Sequence, residues 1–295
     1  MTPESRIAAI EALIHVDVGR NISALCNANK GGLYAAALAL ATAKNVGIIT
    51  GFYVPRGTPP AAETDGPVGA ALLLHGLAAV GIPGRLATDT PCASACAAAL
   101  RGAGLTNTPL DVAELNTPLD TIIETWRQAG ITHALSIERC GKAADGRPHN
   151  LTGLDISSYT APLDDLFTAP PWTTIAIGDG GNEIGMGNLP PSLIASHIAN
   201  GESIACTTRA DHLIVAGVSN WGAWALLAAL AGLRPDWRGG LLASLAPALD
   251  RRILDATVTH GPAVDGISRL QAMTVDNHPL ALHHAKLAEI RAAIG

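Results

Sequence analysis

Short apolar runs alternate with longer apolar or amphipathic stretches along most of the chain. The runs are bounded by Gly, Pro, Asp or Asn, and several are almost continuously apolar, as strands are when helices cover both faces of their sheet. They predict six strands, at Asn45–Thr50, Arg85–Thr88, Leu110–Leu115, His133–Ile137, Thr173–Gly178 and Leu213–Gly217. Helices are predicted around and between them, at Val68–Val80, Cys92–Arg101, Leu119–Ala129 and Trp221–Leu233. This alternation predicts an α/β fold in three layers, with helices on both faces of a mostly parallel sheet.

Helical patterns also occupy the two ends of the chain. Glu4–His15 and Leu33–Lys44 precede the first predicted strand, and Pro279–Ile294 is predicted to be a closing helix. The 295 residues suit one large α/β domain or two smaller ones, and no clear linker divides the chain. We therefore expect a single domain over residues 1–295, with residues 1–45 as an N-terminal helical segment.

Composition and charge exclude several partners. The net charge is −6 and no Lys/Arg run or aromatic-interleaved basic patch occurs, so nucleic acid is not an expected partner. The amino terminus lacks the pattern of a secretory signal, and the longest apolar runs are too short to span a bilayer, which favours a cytoplasmic location without membrane contact. Five scattered cysteines argue against a disulfide framework. Self-association into a homo-oligomer is left open by the sequence.

Acidic side chains follow several of the predicted strands. Asp89, Glu138 and Asp179 stand where the second, fourth and fifth strands end, Asp65 closes the loop after the first, and Glu183 follows Asp179 by four residues. The carboxyl ends of parallel strands share one edge of a sheet, so these side chains are expected to converge in one crevice. Converging carboxylates repel each other unless a cation offsets the charge, and hard divalent cations prefer such oxygens. The five acids therefore predict a site for Mn²⁺ or Mg²⁺.

Helix capping is the alternative explanation for polar residues at strand ends. It accounts for Asp65 and Asp89 about as well as a functional role does, but it explains Glu138 poorly because Glu is a weak cap. Capping is favoured outright for Asn116, Thr117 and Ser219.

A glycine-rich turn at 178–187 and a cationic loop at 139–150 supply groups for an anionic ligand. Backbone N–H groups of such a turn can form an anion nest, although a plain connecting turn is the alternative. The turn does not have the GxGxxG pattern of dinucleotide-binding loops. The cations of the loop suit a carboxylate or a phosphate, unless they are solvated or paired internally. The candidate substrate-binding residues are Arg139, Lys142, Gly180, Gly181, Asn182 and Asn220.

Several strings across the chain resemble the D-glutamate cyclase-like family. They are Thr50–Pro55, Ala61–Pro67, Ser136–Gly141, Gly178–Gly187, Gly217–Gly222 and Val264–Gly266. The resemblance runs in order over nearly the whole chain. It implies an α/β fold, manganese or magnesium, and a site carried by Asp65, Asp89, Glu138, Asp179 and Glu183. It also implies one of two activities, cyclisation of D-glutamate to 5-oxo-D-proline or a Mn²⁺-dependent phosphatase activity.

Three functions fit these residues. The first is metal-assisted intramolecular amide formation on glutamate or a similar amino diacid, by a lyase in which Glu138 or Glu183 acts as general acid or base and Arg139 holds the α-carboxylate. The second is a Mn²⁺- or Mg²⁺-dependent phosphohydrolase acting on a small phosphate ester held in the glycine nest. The third is a non-catalytic metabolite-binding protein. Converging acids disfavour the third for an anionic metabolite unless a metal is present.

Overall fold

The short apolar runs form one six-stranded sheet. The structure is a computed structural model that describes residues 2–168 and 171–294, so the expected domain limits, residues 1 and 295, lie outside it. The strands are β1 (Val46–Thr50), β2 (Gly84–Asp89), β3 (Leu110–Ala113), β4 (His133–Ile137), β5 (Thr173–Gly178) and β6 (His212–Val215). All six lie within a few residues of the predicted positions.

All neighbouring strands of this sheet are parallel, and their order is β3-β2-β1-β4-β5-β6. Chain direction across the sheet therefore reverses between β1 and β4. At such a switch point the loops after the two strands leave in opposite directions, which opens a crevice at their carboxyl ends. The predicted parallel sheet, with the ends of β2, β4 and β5 along one edge, is confirmed.

Helices fill the layers on either side of the sheet. They are α1 (Pro3–Ile14), α2 (Ser23–Ala28), α3 (Gly32–Leu40), α4 (Pro67–Ala79), α5 (Ala93–Gly102), α6 (Asp120–Gln128), α7 (Asp165–Thr168), α8 (Pro191–His197), α9 (Gly201–Ile204), α10 (Ser219–Leu233), α11 (Arg238–Ser244), α12 (Pro247–His260) and α13 (Leu280–Ala292). The seven predicted helices are confirmed. Pattern reading missed the other six helices, α2, α7, α8, α9, α11 and α12. Among these, α12 has ordinary signals for a helix start, a proline in the first turn and the acidic Asp250. None of the helices in the described ranges is long and apolar enough to cross a membrane.

Two apolar clusters cover the two faces of the sheet and confirm the three-layer arrangement. Ile48 of β1 belongs to the cluster that contains α4, α10 and α12, whereas the next residue, Ile49, belongs to the cluster that contains α6 and α8. Side chains of a strand alternate between faces, so each strand contributes to both cores. α10 is buried along nearly its whole length, consistent with a helix that is apolar all round.

Two short antiparallel pairs lie outside the main sheet, in the loops near its carboxyl edge. Tyr53–Val54 pairs with Ala61–Ala62, and Thr274–Val275 pairs with His278–Pro279. Isolated bridges join the first of these loops to residues 264–270. The long connection after β1 is therefore an ordered wall rather than a loose loop.

Close packing of α10 on the sheet depends on Gly222. A Cβ at this position would overlap Cγ2 of Ile177 in β5, whereas a Cβ at Gly232 in the same helix would meet nothing closer than Ile294 Cδ1 at 3.5 Å. We expect Gly222→Ala to lower the free energy of unfolding by ~1–3 kcal/mol through overpacking. Gly232→Ala, the matched control, should raise it by up to ~1 kcal/mol because alanine favours the helix. Denaturant titration measures both, and equal effects would contradict this account of the packing.

Candidate active site

Three of the predicted acidic residues meet at the switch point. Asp65, from the loop after β1, Glu138, directly after β4, and Asp179, directly after β5, each place one carboxylate oxygen within 4.8 Å of the others. All three side chains are buried, with relative exposures of 1%, 6% and 1%. The sequence-based expectation of convergence is therefore met for these three residues.

Asp65 is held by the first turn of α10. Its Oδ2 accepts a hydrogen bond from the Ser219 backbone N–H at 2.9 Å, and its Oδ1 accepts one from the Asn220 backbone N–H at 2.8 Å. These amides lack partners within the helix, and the helix macrodipole favours an anion at this end. Asp65 thus caps α10 across the fold, instead of the helix α4 that follows it in sequence.

Ser219 serves Glu138 rather than its own helix. Its hydroxyl donates to Glu138 Oε2 at 2.6 Å, so the expectation that Ser219 is a capping residue is wrong; Asp65 takes that role. Glu138 itself has a φ of +46°, a conformation that is uncommon for residues other than glycine. Such backbone strain persists where the surroundings fix it, and it often marks functional positions. Here it aims the carboxylate at α10 as the chain leaves β4.

Arg20 brings a positive charge into the acidic group. Its Nη1 lies 2.6 Å from Asp179 Oδ2, and its Nη2 lies 2.8 Å from Asp276 Oδ2. The segment that carries it is shaped by Asp17, whose Oδ1 accepts the backbone N–H groups of Gly19, Arg20 and Asn21 at 2.9–3.0 Å. This local turn directs the guanidinium inward, where it joins the amino-terminal segment to β5 and to the carboxyl-terminal loop.

The acids outnumber the cation that pairs with them, and their pKa values reflect it. Burial raises the pKa of the Asp65 carboxyl from its ordinary 3.8 to about 7, and repulsion by Asp276 adds to the shift. Burial, followed by repulsion from Glu183, raises the pKa of Glu138 well above its usual range. The pKa of Glu63 is raised by burial and by repulsion from Glu138. These shifts favour the protonated forms of the acids, and a further cation would oppose them.

Asp89 and Arg139 form a separate buried ion pair. Arg139 Nη2 lies 2.6 Å from Asp89 Oδ2, and the guanidinium also donates to the carbonyl oxygens of Gly51 and Ala161 at 2.8 and 2.6 Å. Asp89 Oδ1 accepts the backbone N–H of Cys92 at 3.3 Å and so caps the short helix at Thr90–Cys92. The structure therefore does not bring Asp89 into the acidic cluster, and it commits Arg139 to internal partners instead of an open ligand site.

Glu183 fills the expected anion nest with its own carboxylate. Its Oε1 accepts the backbone N–H of Gly180 at 2.7 Å, and its Oε2 accepts that of Gly181 at 2.8 Å. The nest is thus satisfied within the turn, with Glu183 only 1% exposed. This placement gives Glu183 an evident role in shaping the loop after Asp179. Its roles as metal ligand and as general acid or base stay predictions, which this placement does not favour.

The remaining substrate-binding candidates are placed differently. Asn220 Oδ1 accepts the backbone N–H groups of Gly66 and Gly69, at 3.0 and 2.7 Å, and so ties α4 to α10. Lys142 pairs with Asp164 and Asp165 beside a neighbouring cavity. The side-chain amide of Asn182 donates to the His149 carbonyl oxygen at 2.9 Å, and Asn182 lines the cavity next to the acids.

A cavity of about 250 Å³ opens beside the acidic cluster. Glu63 and Glu138 are the acidic residues of its lining. Three arginines, Arg20, Arg56 and Arg269, line it as well. The other lining residues are Phe52, Tyr53, Val54, Pro55, Asn150, Leu151, Thr152, Asn182, Gly266 and Ile267. A small ligand that carries both a cationic and an anionic group matches these walls.

Sequence reasoning missed Glu63, Asp276 and Arg20. Glu63 lies only two residues before Asp65 in a string already singled out, so its spacing was a usable signal. Asp276 and Arg20 follow no strand of the sheet and had no such signal. They reach the site only because loops from opposite ends of the chain fold over its edge.

The donor set fits a hard divalent cation. Asp65, Glu138 and Asp179 offer oxygen ligands, which Mg²⁺ and Mn²⁺ prefer, and the surrounding carboxylates leave a negative excess to be offset. Asp179 Oδ2 is buried and, among the described residues, has no hydrogen bond of good geometry despite its ion pair with Arg20. The site is therefore a candidate metal centre with Asp65, Glu138 and Asp179 as its ligands.

Stability should depend on pH through Asp65. Its pKa is about 7 in the folded protein and roughly 3.9 in an unfolded chain, so the folded state holds the proton longer. With a chelator present to remove metal, the contribution of Asp65 to the free energy of unfolding should therefore be highest below pH ~4. It should fall by ~2–4 kcal/mol as the pH rises to ~7. Asp65→Asn should flatten this part of the profile. Denaturant titrations from pH 5 to pH 8 measure it, and identical slopes for both proteins would refute the assignment.

Metal binding can be measured directly. Calorimetric titration at pH 7.5 with Mn²⁺, and separately with Mg²⁺, should detect binding, and Asp179→Asn should weaken it by at least ~10-fold. Mutating a residue that only supports a metal ligand already lowers metal affinity by ~10–100-fold. Asp145→Asn, which removes an exposed acid of the 139–150 loop, is the control and should leave the affinity unchanged. Absence of binding by the unmodified protein would rule out the metal centre.

Comparisons with known proteins relate the sequence to one family. The sequence profile described as D-glutamate cyclase-like, C-terminal, matches residues 10–291. Mitochondrial D-glutamate cyclase of Homo sapiens is 33% identical over 246 residues, a match that covers 78% of this chain and 39% of that protein. The chain thus spans about two fifths of the length of this relative. The expected cytoplasmic location stays a prediction.

The family match extends over nearly all of the described residues, and it includes every strand of the sheet and each member of the acidic cluster. The resemblance inferred from the sequence strings is therefore confirmed: this chain belongs to the family described as D-glutamate cyclase-like, C-terminal.

Proposed function

We propose that the protein is a lyase that cyclises an amino diacid, with D-glutamate as the first candidate, by joining its amine to its γ-carboxylate with loss of water. The observation that carries this proposal is a cavity lined by Glu63, Glu138 and three arginines, beside three convergent buried carboxylates. Glutamate carries one ammonium and two carboxylate groups and complements a lining of both charges. The family membership and the likeness to D-glutamate cyclase support the choice of substrate.

The reaction needs proton transfer but no net proton. An ammonium and a carboxylate become a lactam N–H, a carbonyl group and one water molecule, so two protons leave the amine and both depart with the oxygen. One carboxyl group that can give a proton to the leaving oxygen and take one from the nitrogen is therefore sufficient.

Glu138 is the residue best suited to this exchange. It lines the cavity, burial and repulsion from Glu183 raise its pKa and so ease its exchange of protons, and the Ser219 hydroxyl holds Oε2 in place. Asp65 is fixed at the amino terminus of α10, and Asp179 is paired with Arg20, which commits them to positioning charge. Pairs of carboxyl groups whose surroundings separate their roles in this way are a common basis for acid–base catalysis.

A bound Mn²⁺ or Mg²⁺, held by Asp65, Glu138 and Asp179, would supply Lewis-acid polarisation of the reacting carboxylate. The chain's own groups bind the substrate, orient it and move the protons. Glu63, next to Glu138 in the cavity, provides a second acidic group for the substrate ammonium.

The phosphohydrolase alternative has less support. It requires the glycine turn at 178–187 to cradle a phosphoryl group, but the N–H groups of Gly180 and Gly181 already donate to Glu183. A phosphate would have to displace a buried internal carboxylate. The proposal for a lyase therefore stands without a second candidate.

Glu138→Gln tests the proposal. Gln keeps the size of the side chain and an oxygen for the Ser219 hydroxyl but cannot exchange a proton. The rate of 5-oxoproline formation from D-glutamate, with Mn²⁺ present, should fall by ~10²–10⁴-fold, the usual contribution of a general acid or base. Glu202→Gln, at an exposed position on α9, is the control and should not change the rate.

One further assay decides between the lyase and the phosphohydrolase. Phosphate release from a panel of phosphate esters should stay at background in the unmodified protein. A Glu138→Gln variant that keeps activity within about threefold of the unmodified protein would remove this residue from proton transfer.

A further inference from the structure

We infer that Arg56 and Arg269 together bind the carboxylate of the substrate that does not react, and so set the specificity of the site for α-amino diacids. This inference rests on the proposed function, because it assigns the part of the substrate that the acidic cluster leaves unexplained. It replaces Arg139, which sequence reasoning favoured for this role and which is committed to Asp89 and two carbonyl groups.

The two arginines come from distant parts of the chain that are joined at the backbone. Arg56 lies between the short strands Tyr53–Val54 and Ala61–Ala62, and Arg269 lies in the loop after α12. The Thr58 N–H donates to the Arg269 carbonyl oxygen at 2.8 Å. Further along, the Thr64 N–H donates to Val264 and the Val264 N–H donates to Ala62, at 2.9 and 3.0 Å. These bonds make one wall of the cavity from two loops and fix the spacing of the arginines.

Asp265 shapes the second loop so that Arg269 faces the cavity. This fully buried carboxylate accepts the backbone N–H groups of Ile267 and Ser268 through Oδ1, at 3.0 and 2.7 Å, and that of Asn277 through Oδ2 at 2.7 Å. Arg269 follows with a φ of +63°, which is uncommon for a residue with a Cβ. A strained backbone held by a buried acid is typical of a position where the side-chain direction matters.

Both guanidinium groups are available for a ligand. Each residue lines the cavity that Glu63 and Glu138 also line, and each is exposed. Within residues 2–168 and 171–294, neither forms an ion pair with a carboxylate. Arg20, the third guanidinium of the cavity, is already paired with Asp179 and Asp276. The geometry of a guanidinium matches a carboxylate with two parallel hydrogen bonds.

The chemistry of cyclisation indicates which carboxylate they hold. The amine and the γ-carboxylate of glutamate must both reach Glu138, which leaves the α-carboxylate outside the new ring. That group keeps its charge and its place in the substrate, in the transition state and in 5-oxoproline. Interactions that are equal in all three states lower KM without raising kcat, so the arginines should affect KM and product affinity rather than the chemical step.

The test compares Arg56→Gln, Arg269→Gln and the double variant with the unmodified protein, all loaded with Mn²⁺. Arg251→Gln, at an exposed position on α12, is the control of equal charge change. Substrates are D-glutamate and 4-aminobutyrate, which cyclises to 2-pyrrolidone and lacks the α-carboxylate. Calorimetry with 5-oxo-D-proline measures binding without turnover.

Each single variant should raise KM for D-glutamate by ~10-fold or more, since hydrogen bonds to charged groups contribute ~1.5–3 kcal/mol. It should weaken the binding of 5-oxo-D-proline by a similar factor, leave kcat within about threefold, and leave KM for 4-aminobutyrate unchanged. The double variant should therefore no longer distinguish the two substrates. Unchanged KM, or equal losses with both substrates, would overturn the inference.

Failure of the cyclase proposal gives a different pattern. If the unmodified protein forms no 5-oxoproline but binds D-glutamate or 5-oxo-D-proline, and the arginine variants alone lose this binding, the carboxylate site stands while the reaction does not. If the unmodified protein binds neither compound, the carboxylate site is overturned as well.

Discussion

Burial of like charge is the constraint around which this end of the molecule is built. Six carboxyl groups, of which none is more than 7% exposed, lie near one edge of the sheet, at Glu63, Asp65, Glu138, Asp179, Glu183 and Asp276. Removing a carboxylate from water is costly unless hydrogen bonds or an opposite charge compensate for it. The fold supplies a different compensation to nearly every member. Helix amides hold Asp65, turn amides hold Glu183, a hydroxyl holds Glu138, and Arg20 bridges the two acids on β5 and the last loop.

The distribution of these devices gives each acid its own chemical character. Asp65 lies where a helix terminus favours negative charge, whereas Glu138 has a single hydroxyl donor and several acidic neighbours. A cluster of chemically identical groups thereby contains carboxyl groups in clearly different surroundings side by side. This separation requires no unusual residue types, only a switch point at which loops from two halves of a sheet converge.

Pattern reading predicted the sheet, its edge and three members of the cluster, because strand ends and their direction follow from local periodicity. It failed where partner choice depends on side-chain direction. Glu138 and Arg139 are adjacent, but the φ of +46° at Glu138 takes the chain out of the extended conformation, which no local sequence pattern reveals. Glu138 therefore reaches α10, whereas Arg139 reaches Asp89.

The same limit applies to the other misplaced residues. The turn at 178–187 has the composition of an anion nest, yet composition does not reveal that its own Glu183 is the anion. Arg20 and Asp276 lie outside the strand–helix alternation altogether. Their positions depend on contacts between the two ends of the chain, which no local window contains.

The pairing of residues 58–64 with residues 264–270 has a consequence for biosynthesis. One side of the ligand cavity exists only when the last sixth of the polypeptide has joined a segment made early, and Arg20 meets Asp276 across a similar interval. Domains emerge from the ribosome amino terminus first, so a nascent chain holds most of the sheet before it holds a closed pocket. During that interval Arg20 and Asp179 have already been made, but Asp276 and one wall of the cavity are missing. Competence to bind a ligand is therefore acquired at the end of synthesis, and a chain that stops short would carry the sheet without the pocket.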